Sequence, residues 1–248
     1  MIVSIPSIPL KALKNSRAFF VYFFFNLVFR FMNDQELIET TIAFVKEQLE
    51  NAEGGHDWWH IERVWKLSKK IAETEDVDLL TVELGALLHD IADSKFHNGD
   101  ESIGPKKARA FLESQKVDEP VNTHIEQIIR HISFKGGHQP QGFKSLELDV
   151  VQDADRLDAI GAVGIARAFN YGGFKNRELY NPSIPPNLHM TKEEYKKSTA
   201  PTINHFYEKL LLLKDRMNTS TGKRLAAQRH QFMEQFLEEF YHEWNGNH

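Results

Sequence analysis

Two His-Asp pairs, His56-Asp57 and His89-Asp90, occur in a chain of 248 residues with 12 histidines and no cysteine. A dipeptide of this kind arises by chance often enough to mean little alone, so context has to separate the two. His89 and Asp90 close a stretch, residues 77–92, in which Leu79, Leu80, Val82, Leu84, Leu87, Leu88 and Ile91 leave almost no polar face. An uncompensated imidazole or carboxylate is costly to bury in such surroundings. His60 shares a helical stripe with Val64, Leu67 and Ile71 and so looks inward, and Asp155 lies in line with Val151 and Ala162. His60, His89, Asp90 and Asp155 can therefore bring four polar groups from three helices onto one cation. Any one of these histidines alone reads as an ordinary hydrogen-bonded residue. As a set, imidazole and carboxylate without thiolate suit zinc, manganese, iron or another first-row ion and do not suit an all-oxygen calcium cage.

The elements that must position these groups read as helices from Asp34 onward, with apolar residues three and four apart and no sustained alternation. The spacing predicts helices over 34–51, 58–74, 77–92, 105–116 and 120–131, where Pro105 and Pro120 suit first helical turns. A loop over 135–144 precedes a single long helix from 146 to about 170. Gly172, Gly173 and the NPSIPPN stretch at 181–187 form an irregular segment, and residues 192–217 and 221–244 read as a helical hairpin with Phe206, Leu210, Leu213, Phe232, Phe236 and Phe240 on facing stripes. The fold class is all-α.

Residues 1–31 are set apart as a hydrophobic appendage and residues 32–248 as the helical domain, with Asn33 and Asp34 placed to cap the first helix. The apolar run at 18–29 is shorter than the roughly 20 residues of a membrane span. A membrane role is thus not expected unless residues 18–32 act as a surface anchor. A formal net charge of −5 argues against nucleic acid as the main partner while leaving room for a local basic pocket. The absence of cysteine removes disulfide scaffolds, iron–sulfur clusters and thiol nucleophiles.

Four segments in order, GGHDWWHIERV at 54–64, ALLHDIADSKF at 86–96, IIRHISFKG at 128–136 and VVQDADRLDAIGA at 150–162, resemble the HD-domain metal-dependent phosphohydrolases. The likeness spans about residues 34–175 and is greatest to small bacterial HD proteins that hydrolyse nucleotides. It implies an HD-type helical bundle, with the C-terminal hairpin as part of the same unit, and metal ligands at His60, His89, Asp90 and Asp155. Asp155 is taken over Asp153 because its Ala-Asp step aligns with the family's small-residue-Asp step. The implied cofactor is a divalent ion, manganese first, with magnesium, cobalt, nickel, zinc or iron as alternatives. The implied reaction is hydrolysis of a phosphoester or phosphoanhydride bond in a small phosphorylated metabolite, a nucleotide above all. The expected location is the cytoplasm, and a homodimer is left open.

Within that scheme Asp93 acts as general acid or base or orients the water, Lys95 and Arg63 bind phosphate, and Asp158 contacts a sugar hydroxyl or orients a ligand. His124 and His131, two helical turns apart, share a face; they contact phosphate or protonate the leaving group, or they hold a second metal as in the binuclear phosphodiesterases. Tyr171 and Phe174 are candidates for a nucleobase wall, ahead of Trp58, Trp59 and Trp65. His56 and Asp57 shape the turn before the His60 helix or partner the metal ligands from behind. Two other readings stand beside the hydrolase: a binuclear-metal phosphodiesterase and a catalytically inactive nucleotide-binding regulatory module.

Overall fold

A computed structural model describes residues 17–50, 57–92, 100, 102–132, 142–191, 194 and 197–247, with side chains from residue 33 onward. Among the described residues there is helix and no strand, as an all-α chain requires. Packing divides the chain into two compact units, Met1–Thr40 and Thr41–His248. Helix α1 runs Arg17–Gln48, so it begins well before Asp34 and passes through Asn33 and Asp34 without a cap. The expected start there does not hold, because neither proline nor glycine interrupts residues 10–53 and the apolar run continues in helical conformation. No helix among the described residues is long and apolar enough to cross a membrane.

The second unit is organised around three helices: α2 (Trp58–Ala72), α3 (Leu79–Leu88) and α6 (Leu146–Asp158). Helix α2 packs on both α3 and α6, and α3 also meets α5 (Glu119–His131), which pairs with α4 (Ile103–Ser114). Each of the three central helices has a side-chain cap. Asp57 accepts the His60 amide, Asp78 those of Leu80 and Thr81, and Ser145 that of Leu148. Val64, Ile71, Val82, Ala86, Val150, Val151, Ala154 and Leu157 fill the space between them and are all fully buried. Helix α3 is covered on nearly all sides, but it ends at Leu88, which leaves His89 and Asp90 in the turn beyond it.

The long helix expected over 146–170 is two helices. Helix α6 tightens at its end through Ala159 N–H to Arg156 and Ile160 N–H to Leu157, Ile160 is extended, and Gly161 sits at φ +76°, where a side chain would be strained and would meet Arg229. Helix α7 (Gly161–Phe174) then leaves in a new direction. The expected helix over 192–217 is likewise replaced by α8 (Thr202–Glu208), which starts after Pro201, and a 3₁₀ segment over Leu210–Arg216. Leu210 and Leu213, three apart and both buried, stack on one edge of a three-residue turn, which favours that tighter winding. Helix α9 (Ser220–Trp244) closes the unit against α6, α7 and the 3₁₀ segment.

Asp153 ties α9 to α6. Fully buried, it accepts hydrogen bonds from the Asn218 and Thr219 amides and from the Thr219 hydroxyl, all at 2.8 Å for the nearest oxygens. Gly222 makes this approach feasible, since a Cβ there would lie 2.2 Å from Asp153 Oδ2. Burial pushes the Asp153 carboxyl up against the opposing pull of these donors.

Candidate metal centre

His60 lies in the first turn of α2 and is 2% exposed, with its ring between α3 and α6. Its Nδ1 stands 2.7 Å from Asp158 Oδ2. A carboxylate can only accept, so Nδ1 carries the proton and Nε2 keeps its lone pair. His89 reaches the same state differently: its Nδ1 is 2.8 Å from the Ala86 carbonyl in the last turn of α3, and a carbonyl can only accept. Both Nε2 atoms are therefore acceptors, and they face each other at 3.3 Å.

Asp155 Oδ1, from α6, completes a triangle at 3.6 Å from His60 Nε2 and 3.9 Å from His89 Nε2. Three lone-pair atoms repel one another at such distances unless something positive lies between them. From these three edges the point equidistant from all the atoms is about 2.1 Å from each, a metal–imidazole bond length. The donor set and its spacing thus fit a divalent ion. Among the described residues these three form the group whose ligand atoms all lie within 4.8 Å of one another. Asp155 is partly open to solvent, so one side of the triangle is accessible while the histidines close the other.

Around this triangle lies a charged second layer. Asp158, with its side chain 2% exposed, accepts from Arg63 Nε at 2.6 Å, from Arg63 Nη2 at 3.1 Å and from Arg167 Nη1 at 2.6 Å, in addition to the His60 ring. Burial alone would push its carboxyl up; the hydrogen bonds from His60 and Arg63 and the charge of Arg167 outweigh that and hold it well below the usual carboxylate range. Burial lowers the His60 ring, against the raising effect of Asp158 and with a further lowering from His89, so the imidazole is neutral, the form in which it can bind a metal. Arg63 is raised by the same Asp158 bond.

His60, His89 and Asp155 come together, while Asp90 is half-buried in the turn after His89 and stands outside that group. Arg63 is held on Asp158 with its side chain 34% exposed, which leaves guanidinium N–H groups towards solvent. His124 and His131 share a face and both lie against Phe143, at ring distances of 5.5 and 5.8 Å. His124 Nε2 is 2.8 Å from the Ser145 hydroxyl and 3.4 Å from Glu147, at the start of α6, whereas His131 bonds the Gln127 carbonyl through Nδ1. Asp93, Lys95 and His56 lie outside the described residues. Asp57 is the N-cap of α2, which sets the turn that delivers His60. Trp59, Tyr171 and Phe174 are exposed, and Lys175 and Arg177 lie over the Tyr171 ring.

Arg167 was not among the residues singled out from sequence. On one continuous helix, nine residues beyond Asp158 means about 13 Å along the axis and the opposite face. Only the corner at Gly161 turns α7 so that this arginine returns to Asp158.

The HD domain family model matches residues 58–160, the stretch that carries His60, His89, Asp90 and Asp155. YpgQ of Bacillus subtilis is 37% identical over 207 residues, covering 83% of this chain and 93% of that protein. The chain belongs to the HD superfamily. An HD-superfamily hydrolase of Bacillus thuringiensis is similar in structure, with a TM-score of 0.69 and 46% identity over 86% of this chain and 98% of the other. The structure of Bacillus subtilis YpgQ in complex with ADP is also similar, with a TM-score of 0.64 and 35% identity over 84% of this chain and 95% of that one. The fold is thus that of an HD-superfamily hydrolase, and the chain covers nearly the whole length of these three relatives.

Proposed function

We propose that this protein is a metal-dependent phosphohydrolase that cleaves a phosphoester or phosphoanhydride bond of a nucleotide. The observation that carries the reading is the triangle of His60 Nε2, His89 Nε2 and Asp155 Oδ1, three acceptor atoms from three helices at the spacing of ligands on one cation. Asp90 would be the fourth ligand, by its place beside His89. A bound divalent ion, manganese in this proposal, would supply Lewis-acid polarisation of a phosphoryl oxygen and a lowered pKa for water beside it. That a relative sharing 35% of its residues has been crystallised with ADP supports a nucleotide as the substrate class.

The chain's own residues then bind and orient. Arg63, anchored through Nε and Nη2, keeps its outward N–H groups for phosphate oxygens and offers them in a fixed plane. Lys95 adds a point charge, and Asp93 moves a proton to or from the reacting group. His131 Nε2, free of the Gln127 bond, contacts phosphate or protonates the leaving group, and His124 borders the phosphate side of the pocket. The site works in the cytoplasm, where nucleotides are abundant.

A screen for orthophosphate and pyrophosphate release from nucleoside mono-, di- and triphosphates, with Mn, Mg, Co, Ni and Zn, tests the proposal. Release that needs metal and disappears in Asp155→Asn and Asp90→Ala is the expected result. Nucleotide binding without release of either product would overturn it in favour of a regulatory module, and two equivalents of metal per chain requiring both His124 and His131 would favour a binuclear phosphodiesterase.

A further inference from the structure

We infer that Asp158 is a positioning residue: its carboxylate fixes the ring of His60 with the proton on Nδ1 so that Nε2 is presented to the metal, and Arg63 and Arg167 hold that carboxylate in place. The inference deepens the metal-site reading above and rests on it. A neutral imidazole carries one proton, and without a partner the two nitrogens compete for it. The acceptor 2.7 Å from Nδ1 removes that freedom. It also fixes the ring about its χ angles, since Asp158 belongs to α6, the helix that bears Asp155, while His60 belongs to α2.

Asp158 is closed to substrate by burial. Oδ2 receives His60, Arg63 and Arg167, Oδ1 receives Arg63 Nε, and the side chain is 2% exposed. A sugar hydroxyl would have to push past the arginines that cover it. The two arginines come from different helices, α2 and α7, so the carboxylate is fixed from two sides. His89 needs no such device, because the Ala86 carbonyl that holds its Nδ1 is backbone. Removing the charge at position 158 therefore acts on one of the two imidazoles and leaves the other unchanged. Asparagine could keep its oxygen at the Oδ2 position and still accept from His60, whereas alanine at 158 removes both acceptor oxygens.

Ring ¹⁵N spectra of histidine-labelled, metal-free protein test this, with His60 assigned through His60→Gln, together with Mn²⁺ titration calorimetry. The expected wild-type spectrum has the His60 proton on Nδ1. In Asp158→Ala, His60 shifts towards a mixture of tautomers, His89 does not change, and Mn²⁺ binds about 10- to 100-fold more weakly, the usual loss when a ligand's outer partner is removed. A wild-type His60 protonated on Nε2 overturns the inference, as does an Asp158→Ala variant that binds Mn²⁺ within twofold of wild type. If that variant does not fold, the wild-type spectrum decides. Wild-type protein with the Nδ1 proton but no Mn²⁺ binding would sink the metal reading and leave the tautomer assignment standing.

Discussion

Asp153 and Asp155 sit two residues apart on α6, yet they do opposite work, and exchanging each for asparagine should separate stability from metal binding. Asp153 is fully buried and takes two backbone amides and one hydroxyl at the junction of α6 with α9. Asparagine can keep its oxygen at the Oδ2 position, where both Thr219 donors bind, and turns its NH₂ towards the Asn218 amide at the Oδ1 position, so one of the three bonds is lost and the other two become bonds to a neutral acceptor. Hydrogen bonds to charged groups contribute roughly 1.5–3 kcal/mol, which puts the cost of Asp153→Asn at about 2 kcal/mol after the relief of burying a charge. For a unit of this size that lowers Tm by roughly 4–8 °C. Asp155, with its side chain 35% exposed, makes no such bonds, and Asp155→Asn should move Tm by less than about 2 °C while weakening Mn²⁺ binding beyond detection. Thermal melts in EDTA and Mn²⁺ calorimetry on both variants give the answer. The reasoning fails if Asp153→Asn costs under 1 kcal/mol, or if it impairs Mn²⁺ binding more than Asp155→Asn does.

Further outcomes follow from the same contacts. Saturating metal should stabilise the fold, by about 2.7 kcal/mol at a hundredfold excess over Kd, and His89→Ala should remove the shift in a thermal melt. Gly161→Ala should destabilise by about 1–3 kcal/mol, read by urea denaturation, because φ is +76° and the new Cβ would lie 2.9 Å from Arg229 Cγ. Partly buried His205 on α8 has its ring lowered from 6.5 to about 3 by burial, with Lys209 and Arg177 adding to the effect. Its contribution is unchanged above pH 6.5; as pH falls below that, the unfolded chain takes up a proton that the folded one does not, so stability drops by up to about 1.4 kcal/mol per pH unit until near pH 3. His205→Gln should flatten that slope between pH 6 and 4 relative to wild type.

The helical class and the inward direction of His60 were legible because both depend on periodicity, which survives in α2 and α6. What periodicity does not carry is where a helix bends. The 146–170 stretch has the spacing of one helix, and only Gly161 marks the corner that brings Arg167 to Asp158. The same limit applies to 192–217, where the tight winding at Leu210 and Leu213 reads equally well as α-helix. At the amino-terminal side the reverse error arose: Asn33 and Asp34 have capping chemistry, but an uninterrupted helix former on both sides makes a cap unnecessary. Asp155 and Asp153 are both acidic and both on the 146–158 helix, and two positions along a helix is a rotation of about 200°, so one faces the histidines and the other faces α9.

Anomalous diffraction from Mn²⁺-loaded crystals tests the central claim most directly. The account predicts one strong peak within about 2.0–2.3 Å of His60 Nε2, His89 Nε2 and an Asp155 carboxylate oxygen. A peak bound elsewhere, or the three side chains ordered with no peak among them at saturating Mn²⁺, would contradict it.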